Sequence, residues 1–318
     1  MDNKLKKYII CLMGPTASGK TQLAIELTQL LPFEIISVDS VMVYRGLNIG
    51  TAKPTLQELK ITPHHLIDVC KPEAPYSAGR FYKDVLKEIK LIHAKNRIPL
   101  LVGGTMLYFH VLQHGFSDLP VTQPMIRKKI NTEAEQKGWL TLYSKLKKID
   151  PESAKQINQN DTQRIQRALE VYEVIGQPLS DCQKSKRLGV LPYQFINIVL
   201  NPSDRADLHQ RIEKRFFQML QEGFLEEVKQ LYQRNIDPAL PAFRTVGYRQ
   251  AWQYLEGCYD YQTMCYKAIV ATRQLAKRQL TWLRRWPHVK WFDSNAGNLA
   301  KCVVDYLKIA VCNKVFQG

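Results

Sequence analysis

Four short, mostly apolar runs punctuate the chain: Tyr8 to Met13, Glu34 to Asp39, Ile98 to Gly103 and Phe195 to Leu200. Each is about six residues long, the pattern of a strand covered on both faces. Helix-period stretches separate the first three. Leu23, Leu27, Leu30 and Leu31 share one face after the first run, and Val85, Leu86, Ile89 and Ile92 share one face over Phe81 to Ala94. Buried strands alternating with helices predict an α/β fold built on a parallel sheet, with ligands at the carboxyl ends of the strands.

The pattern changes near Pro120. Only helical periods appear from Pro124 to about Gln177: Pro124 to Lys137, Leu140 to Lys148, and a third from an N-cap at Asp161 to Ile175, closed by Gly176. Ile165, Ala168, Leu169 and Tyr172 give that third helix its apolar face, and a polar loop, Lys184-Ser185-Lys186-Arg187, follows. Because a strand returns at Phe195, the helical block predicts an insertion. The expected organisation is a core domain of residues 1–120 and 190–318 with an inserted all-α domain of residues 121–189. Downstream, Ser203 or Asp204 caps a helix with Leu208, Ile212, Phe216, Met219 and Leu220 on one side and Arg211, Lys214 and Arg215 on others. The last long helix is predicted from Tyr261 to about Arg285, and Val289 to Asp293 as a final edge strand.

Composition narrows the class. No apolar run approaches the ~20 residues of a membrane span, and the N-terminal residues carry no signal-like apolar stretch. A cytoplasmic protein is expected. The seven cysteines (Cys11, Cys70, Cys182, Cys258, Cys265, Cys302 and Cys312) form no CxxC pair, which predicts reduced thiols instead of disulfides or a zinc site. His64-His65 lacks a neighbouring metal ligand and reads as structural or substrate-positioning. Forty-five Lys and Arg against 29 Asp and Glu give a net charge of +16. That imbalance predicts a polyanionic partner, nucleic acid ahead of anionic membrane, since no basic helix with an exposed apolar face stands out.

The candidate chemistry begins at Gly14-Pro15-Thr16-Ala17-Ser18-Gly19-Lys20-Thr21, which fits the P-loop pattern between a strand and a helix. Its backbone N–H groups would cradle phosphate, Lys20 would reach the terminal phosphates and Thr21 would ligate Mg²⁺. A nucleoside triphosphate such as ATP is the default occupant; a prenyl diphosphate presents the same two-phosphate target. Asp39-Ser40 follows a strand, so Asp39 reads either as a Walker-B-like acid holding Mg²⁺ through water or as a general base. The chain has neither an N-K-x-D signature nor an extended apolar strand ending in Asp-Glu, which favours a diphosphate that is itself the leaving group. Arg273, Lys277, Thr281 and Arg284 fall at i, i+4, i+8 and i+11, a helical stripe suited to tracking phosphates. Trp282 beside it reads as core in preference to a base platform. Arg244 to Arg249, together with Gln163, Arg164 and Arg167, add patches expected to grip the same nucleic acid.

Taken together these blocks resemble the bacterial tRNA dimethylallyltransferases (tRNA isopentenyltransferases). The likeness rests on the P-loop and on Asp39-Ser40 with Tyr44-Arg45-Gly46 and Ile49-Gly50-Thr51-Ala52-Lys53-Pro54. Pro63-His64-His65-Leu66-Ile67-Asp68, Tyr76-Ser77-Ala78 and Leu101-Val102-Gly103-Gly104-Thr105 add to it, as do Asp161 to Arg167, Val246 to Gln250 and Thr272 to Leu283. The resemblance implies a P-loop NTPase-like core, Mg²⁺, and transfer of a dimethylallyl group from dimethylallyl diphosphate. The implied acceptor is the N6 amine of the adenosine 3′-adjacent to the anticodon of tRNA, with the inserted domain gripping the anticodon stem-loop. The implied catalytic set is Asp39, Thr105, Lys20, Arg211 and Arg215. The implied tRNA contacts are Asp39, Ser40, Val41, Met42, Thr105 and Arg127, then Gln163, Arg164, Ile165, Gln166 and Arg167. They continue with Arg244, Thr245, Val246, Gly247, Tyr248 and Arg249, and end with Lys277, Arg278, Gln279, Leu280, Thr281, Trp282, Leu283 and Arg284. Two positions depart from the family pattern: Met42 stands where many relatives carry Gln, and Asn48 where many carry Asp. A monomer is expected. Three other readings stay open on sequence: a prenyltransferase acting on free adenine nucleotide, a small-molecule kinase using ATP, and an RNA-binding protein with a relic P-loop.

Overall fold

The structure, a computed structural model, describes residues 8–115, 119–120, 123–184 and 191–315, with side chains through 311. The N-terminal residues before Tyr8, the loop positions 185–187 and the boundary positions 121 and 189–190 lie outside the described residues. Two compact units are present, Met1–Val111 with Pro192–Gly318, and Leu112–Leu191.

The first unit holds a six-stranded parallel sheet. Its chain order is β1 (Tyr8–Met13), α1 (Lys20–Leu30), β2 (Phe33–Val38), α2 (Leu56–Ile61), β3 (His64–His65), α3 (Ala78–Ala94), β4 (Ile98–Gly103) and α4 (Met106–His114). The helices α5 (Pro124–Lys137), α6 (Trp139–Ile149), α7 (Pro151–Gln156), α8 (Thr162–Ile175) and α9 (Leu179–Lys184) belong to the second unit. The first unit resumes with β5 (Gln194–Asn201), α10 (Arg205–Gln221), α11 (Phe224–Tyr232), α12 (Tyr248–Leu255), α13 (Tyr261–Leu283), β6 (Val289–Asp293) and α14 (Leu299–Val315).

Sheet order is β3-β2-β4-β1-β5-β6, and every recorded pair is parallel. Successive residues point to opposite faces. Ile10, Leu12, Leu100, Ile196 and Ile198 pack under Leu23 and Leu27 of α1 and Val303 and Leu307 of α14. Ile9, Cys11, Ile36 and Leu101 alternate with residues of that set and are equally buried. Both faces are therefore covered, which is why these strands read as unbroken apolar runs. Register places Met13 opposite Gly103 and Val199, and Val38 opposite Gly103. The segments after β1, β2 and β4 thus leave the sheet along one edge, and chemistry far apart in sequence meets there.

Three local expectations change. Leu30 is 58 % exposed and Leu31 lies beyond α1, because the helix buries Leu23, Ala24, Ile25 and Leu27 instead. The helix from Tyr261 is not the last, since α14 follows and covers the sheet with Val303, Val304 and Leu307. Trp282, expected in the core, is 39 % exposed, and its neighbour Leu283 takes the buried position.

The second unit has its own core of Ile130, Leu142, Leu146, Ile165, Leu169 and Leu179. Asp161 accepts the Arg164 N–H at 3.1 Å to open α8, and Gly176 closes it in the left-handed conformation. Inside this unit the fully buried Glu170 carboxylate pairs with Arg167 at 3.3 Å and Arg127 at 3.6 Å and accepts the Gln123 N–H at 3.2 Å. Among the described residues, no helix is long and apolar enough to cross a membrane.

Candidate active site

The phosphate loop leaves β1 and enters α1 at Lys20. Its first glycine is required by packing: a Cβ on Gly14 would sit 2.3 Å from the Leu200 carbonyl oxygen of β5. Lys20 folds back over the loop, donating to the Pro15 carbonyl at 2.5 Å and to Ser18 Oγ at 3.3 Å. Burial, and then the Arg215 guanidinium, push its ammonium down to about 7, while Asp39 pulls the other way.

Asp39 lies immediately past β2. Its Oδ1 accepts the N–H groups of Val41 at 2.8 Å and Met42 at 3.1 Å, which shapes the turn. No hydrogen bond to Oδ2 is recorded among the described residues. Thr105, past β4, accepts the Ser40 N–H at 3.0 Å through its hydroxyl and donates to Ser40 Oγ at 3.4 Å. The β4 end thereby pins the β2 end.

These strand ends and helices α10, α12 and α13 enclose a cavity of about 330 Å³, of a size suited to a small organic ligand. Lys20, Thr21, Asp39, Ser40 and Arg215 line its polar side, and Ile212, Phe216, Met219, Phe224 and Leu275 its apolar side. Arg215 is half-buried; the partial loss of solvent lowers its pKa against the opposing effect of Asp39, and its guanidinium donates to the Thr51 carbonyl at 3.4 Å. Arg211, one turn earlier on α10, does not line this cavity. It bonds Ser294 at 3.2 Å and Asn295, with one nitrogen 3.9 Å from where a Cβ on Gly19 would lie.

Two features escaped the sequence reading. Glu227 of α11 accepts the N–H groups of Asn48 at 2.7 Å, Ile49 at 2.8 Å and Gly50 at 3.2 Å, and the Tyr248 hydroxyl at 2.6 Å. One carboxylate therefore holds the loop that carries Thr51 beside Arg215. Gln279 of α13 reaches the phosphate loop, accepting the Thr16 N–H at 2.9 Å and donating to the Gly104 carbonyl at 2.9 Å. Neither signal was available locally, because the bonds from Glu227 to the Asn48–Gly50 loop and both Gln279 bonds join segments more than 170 residues apart.

Other expected contacts divide by exposure. Arg244, Arg249, Lys277, Arg278, Thr281 and Arg284 are exposed on the first unit, as are Gln163 and Arg164 on the second, where Gln166 is half-buried and Arg164 is also paired to Asp161 at 3.3 Å. Thr245, Val246 and Leu280 are half-buried, and Gly247 is buried. Ile165, Tyr248 and Leu283 are buried, so their side chains offer no surface to a partner. Arg127 and Arg167 are committed to Glu170, and Arg273 to Glu213 at 2.7 Å. The two departures also make contacts: Met42 Sδ accepts from Ser37 Oγ at 3.8 Å, and Asn48 Oδ1 from Lys53 at 3.1 Å. The buried Lys53 ammonium bonds Asp68 at 2.7 Å too.

A family model described as IPP transferase matches residues 42–286. The chain belongs to the IPP transferase family. A tRNA dimethylallyltransferase of Coxiella burnetii (strain Dugway 5J108-111) is 66 % identical to it over 302 residues, covering 95 % of this chain and 97 % of that protein. The solved full-length tRNA isopentenylpyrophosphate transferase of Bacillus halodurans is 33 % identical, with a TM-score of 0.73, covering 98 % of this chain and 99 % of the other. A solved eukaryotic dimethylallyltransferase acting on tRNA is 28 % identical with a TM-score of 0.79, covering 98 % of this chain and 80 % of the other. Within this IPP transferase, the P-loop NTPase-like sheet and the strand-end cavity form one framework.

Proposed function

We propose that the chain is a tRNA dimethylallyltransferase. It transfers a dimethylallyl group from dimethylallyl diphosphate to the N6 amine of the adenosine 3′-adjacent to the anticodon and releases diphosphate. The observation that carries this reading is the composition of one cavity: a phosphate loop with Lys20 and Thr21, a carboxylate at Asp39, and an apolar wall of Phe216, Met219 and Phe224. A kinase for a polar small molecule has no use for that wall, whereas a five-carbon allylic tail does.

In the proposed reaction the allylic C–O bond breaks and its electron pair leaves with the diphosphate. Lys20, Arg215 and the loop N–H groups stabilise the charge that the leaving group gains. The amine nitrogen forms the new C–N bond, and its proton passes to Asp39, whose Oδ2 is kept available by the turn that occupies Oδ1. Thr105 supports this carboxylate indirectly by holding Ser40. Arg211 would approach the diphosphate from the Gly19 side of the loop.

The donor set fits Mg²⁺. Thr21 supplies a hard oxygen donor in the cavity lining, and no group of three His, Cys, Asp or Glu able to hold a metal exists among the described residues. A cation held mainly by substrate phosphates, with one or two protein oxygens, suits that arrangement. Bound there, Mg²⁺ would neutralise part of the diphosphate charge.

The tRNA would bind through Arg244, Arg249, Lys277, Arg278, Thr281 and Arg284, and through Gln163, Arg164 and Gln166 of the second unit. A net charge of +16 supports an RNA acceptor over a free nucleotide. The target base must leave its stack, which costs a few kcal/mol and less in a loop than in a duplex. A cytoplasmic monomer fits this reading. Purified protein, Mg²⁺ and labelled dimethylallyl diphosphate, offered unmodified tRNA or AMP, test it. Label is expected in tRNA. Label in AMP alone would assign a nucleotide prenyltransferase, and label in neither would remove the reading.

A further inference from the structure

Gln279 belongs to the helix that carries the exposed basic stripe, yet it points away from that stripe. Lys277, Arg278, Thr281 and Arg284 are exposed, while Ala276 and Leu283 are buried and Gln279 lines the cavity. Its amide makes two opposite bonds. Oε1 accepts the Thr16 N–H of the phosphate loop, and Nε2 donates to the Gly104 carbonyl beyond β4, both at 2.9 Å. The partners fix the amide's orientation, because a backbone N–H can only donate and a carbonyl can only accept. A side chain that both donates and accepts is needed there; Glu and Lys each satisfy one partner alone. The approach is also close. A Cβ on Gly104 would lie 2.4 Å from Nε2, so the residue after β4 must be glycine for Gln279 to seat.

We propose that Gln279 is a positioning residue for the diphosphate site and not a tRNA contact: it locks the phosphate loop to the β4 end. The inference rests on the prenyl-transfer reading of this cavity. Thr16 lies inside the loop that wraps the diphosphate, and an unanchored loop would present its N–H groups in many arrangements. The binding free energy spent on ordering it would be lost from donor affinity. Because α13 also presents Lys277 and Thr281 outward, one helix would carry the acceptor surface on one face and brace the donor site with the other.

Gln279→Glu tests this by replacing one NH₂ with an oxygen. It keeps an acceptor for Thr16, loses the donor to Gly104, and adds negative charge beside the diphosphate. Gly104→Ala reaches the same contact from the other side by displacing the amide. Donor KM, kcat, tRNA Kd by filter binding and thermal midpoint would be measured on wild type and both variants. Both should raise the donor KM roughly tenfold, the scale of one lost buried hydrogen bond, with tRNA Kd within about twofold of wild type. Gln279→Leu should behave likewise if it folds, and inorganic pyrophosphate, the released product, should inhibit all three variants less. Unchanged donor KM with weakened tRNA binding would overturn the proposal in favour of an RNA contact. Unchanged donor KM with only a lower thermal midpoint would overturn it in favour of plain packing. Failure of wild type to transfer label would instead sink the prenyl-transfer reading itself, and direct pyrophosphate binding by titration calorimetry, expected to be weaker in the variants than in wild type, would still report on Gln279.

Discussion

At Asp39 the two carboxylate oxygens meet different demands. Oδ1 holds the Val41 and Met42 N–H groups, and Oδ2 is left to the substrate in the proposed reaction. Asp39→Asn keeps an acceptor for the turn but removes the base. Its kcat should fall roughly 10²-fold or more while circular dichroism and thermal midpoint stay near wild type; turnover near wild type would exclude proton transfer to Asp39. A second residue-scale prediction concerns His64. Its Nδ1 bonds the Thr62 carbonyl at 2.7 Å, and its buried Nε2 has no partner among the described residues. Burial lowers its pKa below the ordinary 6.5, with the Thr62 carbonyl opposing. As pH falls, the unfolded chain takes up this proton first, so His64 costs no stability above about 6.5 and destabilises the fold progressively below it. His64→Asn, which keeps a donor for Thr62, should lose less thermal midpoint between pH 7 and 5 than wild type, as scanning calorimetry would show. Residues of this kind were only half legible. The P-loop and Asp39 announce themselves through their neighbours in sequence, but the division of labour between Asp39's two oxygens follows from a turn that only coordinates reveal.

At the scale of elements, the strands were legible because burial on both faces leaves no polar alternation to misread. Helix α8 was equally clear, since Asp161 and Gly176 punctuate it at both ends. Helix α14 was missed although Leu299, Val303 and Leu307 carry a helical period, because Val289–Asp293 looked like the natural end of the fold. The brace between α11 and the loop at Asn48 to Gly50 had no sequence signal at all. Glu227→Gln tests that brace. The new NH₂ would face backbone N–H donors, which leaves them unpaired at a cost of roughly 1–3 kcal/mol. Urea unfolding should show that loss, and donor KM should rise as Thr51 and Arg215 lose their setting. Wild-type stability and KM together would make the Glu227 bonds incidental.

For the whole molecule, charge was the most legible property and its placement the least. The excess of 16 positive charges announces a polyanion, but Arg127, Arg167 and Arg273 turn out to be engaged by Glu170 and Glu213. Sequence alone cannot separate an arginine that neutralises a buried carboxylate from one that waits for phosphate. Lys277, exposed on α13, is of the second kind in our account. Lys277→Ala should weaken tRNA binding and reduce the slope of log Kd against log salt by about one unit. An unchanged slope would take it off the phosphate track. Unmodified tRNA carrying adenosine 3′-adjacent to the anticodon would be incubated with the protein, Mg²⁺ and dimethylallyl diphosphate, then digested and mapped by mass spectrometry. The account predicts one dimethylallyl group on that adenosine and none elsewhere. A modified nucleoside at any other position, or an unmodified tRNA after complete reaction time, would contradict it.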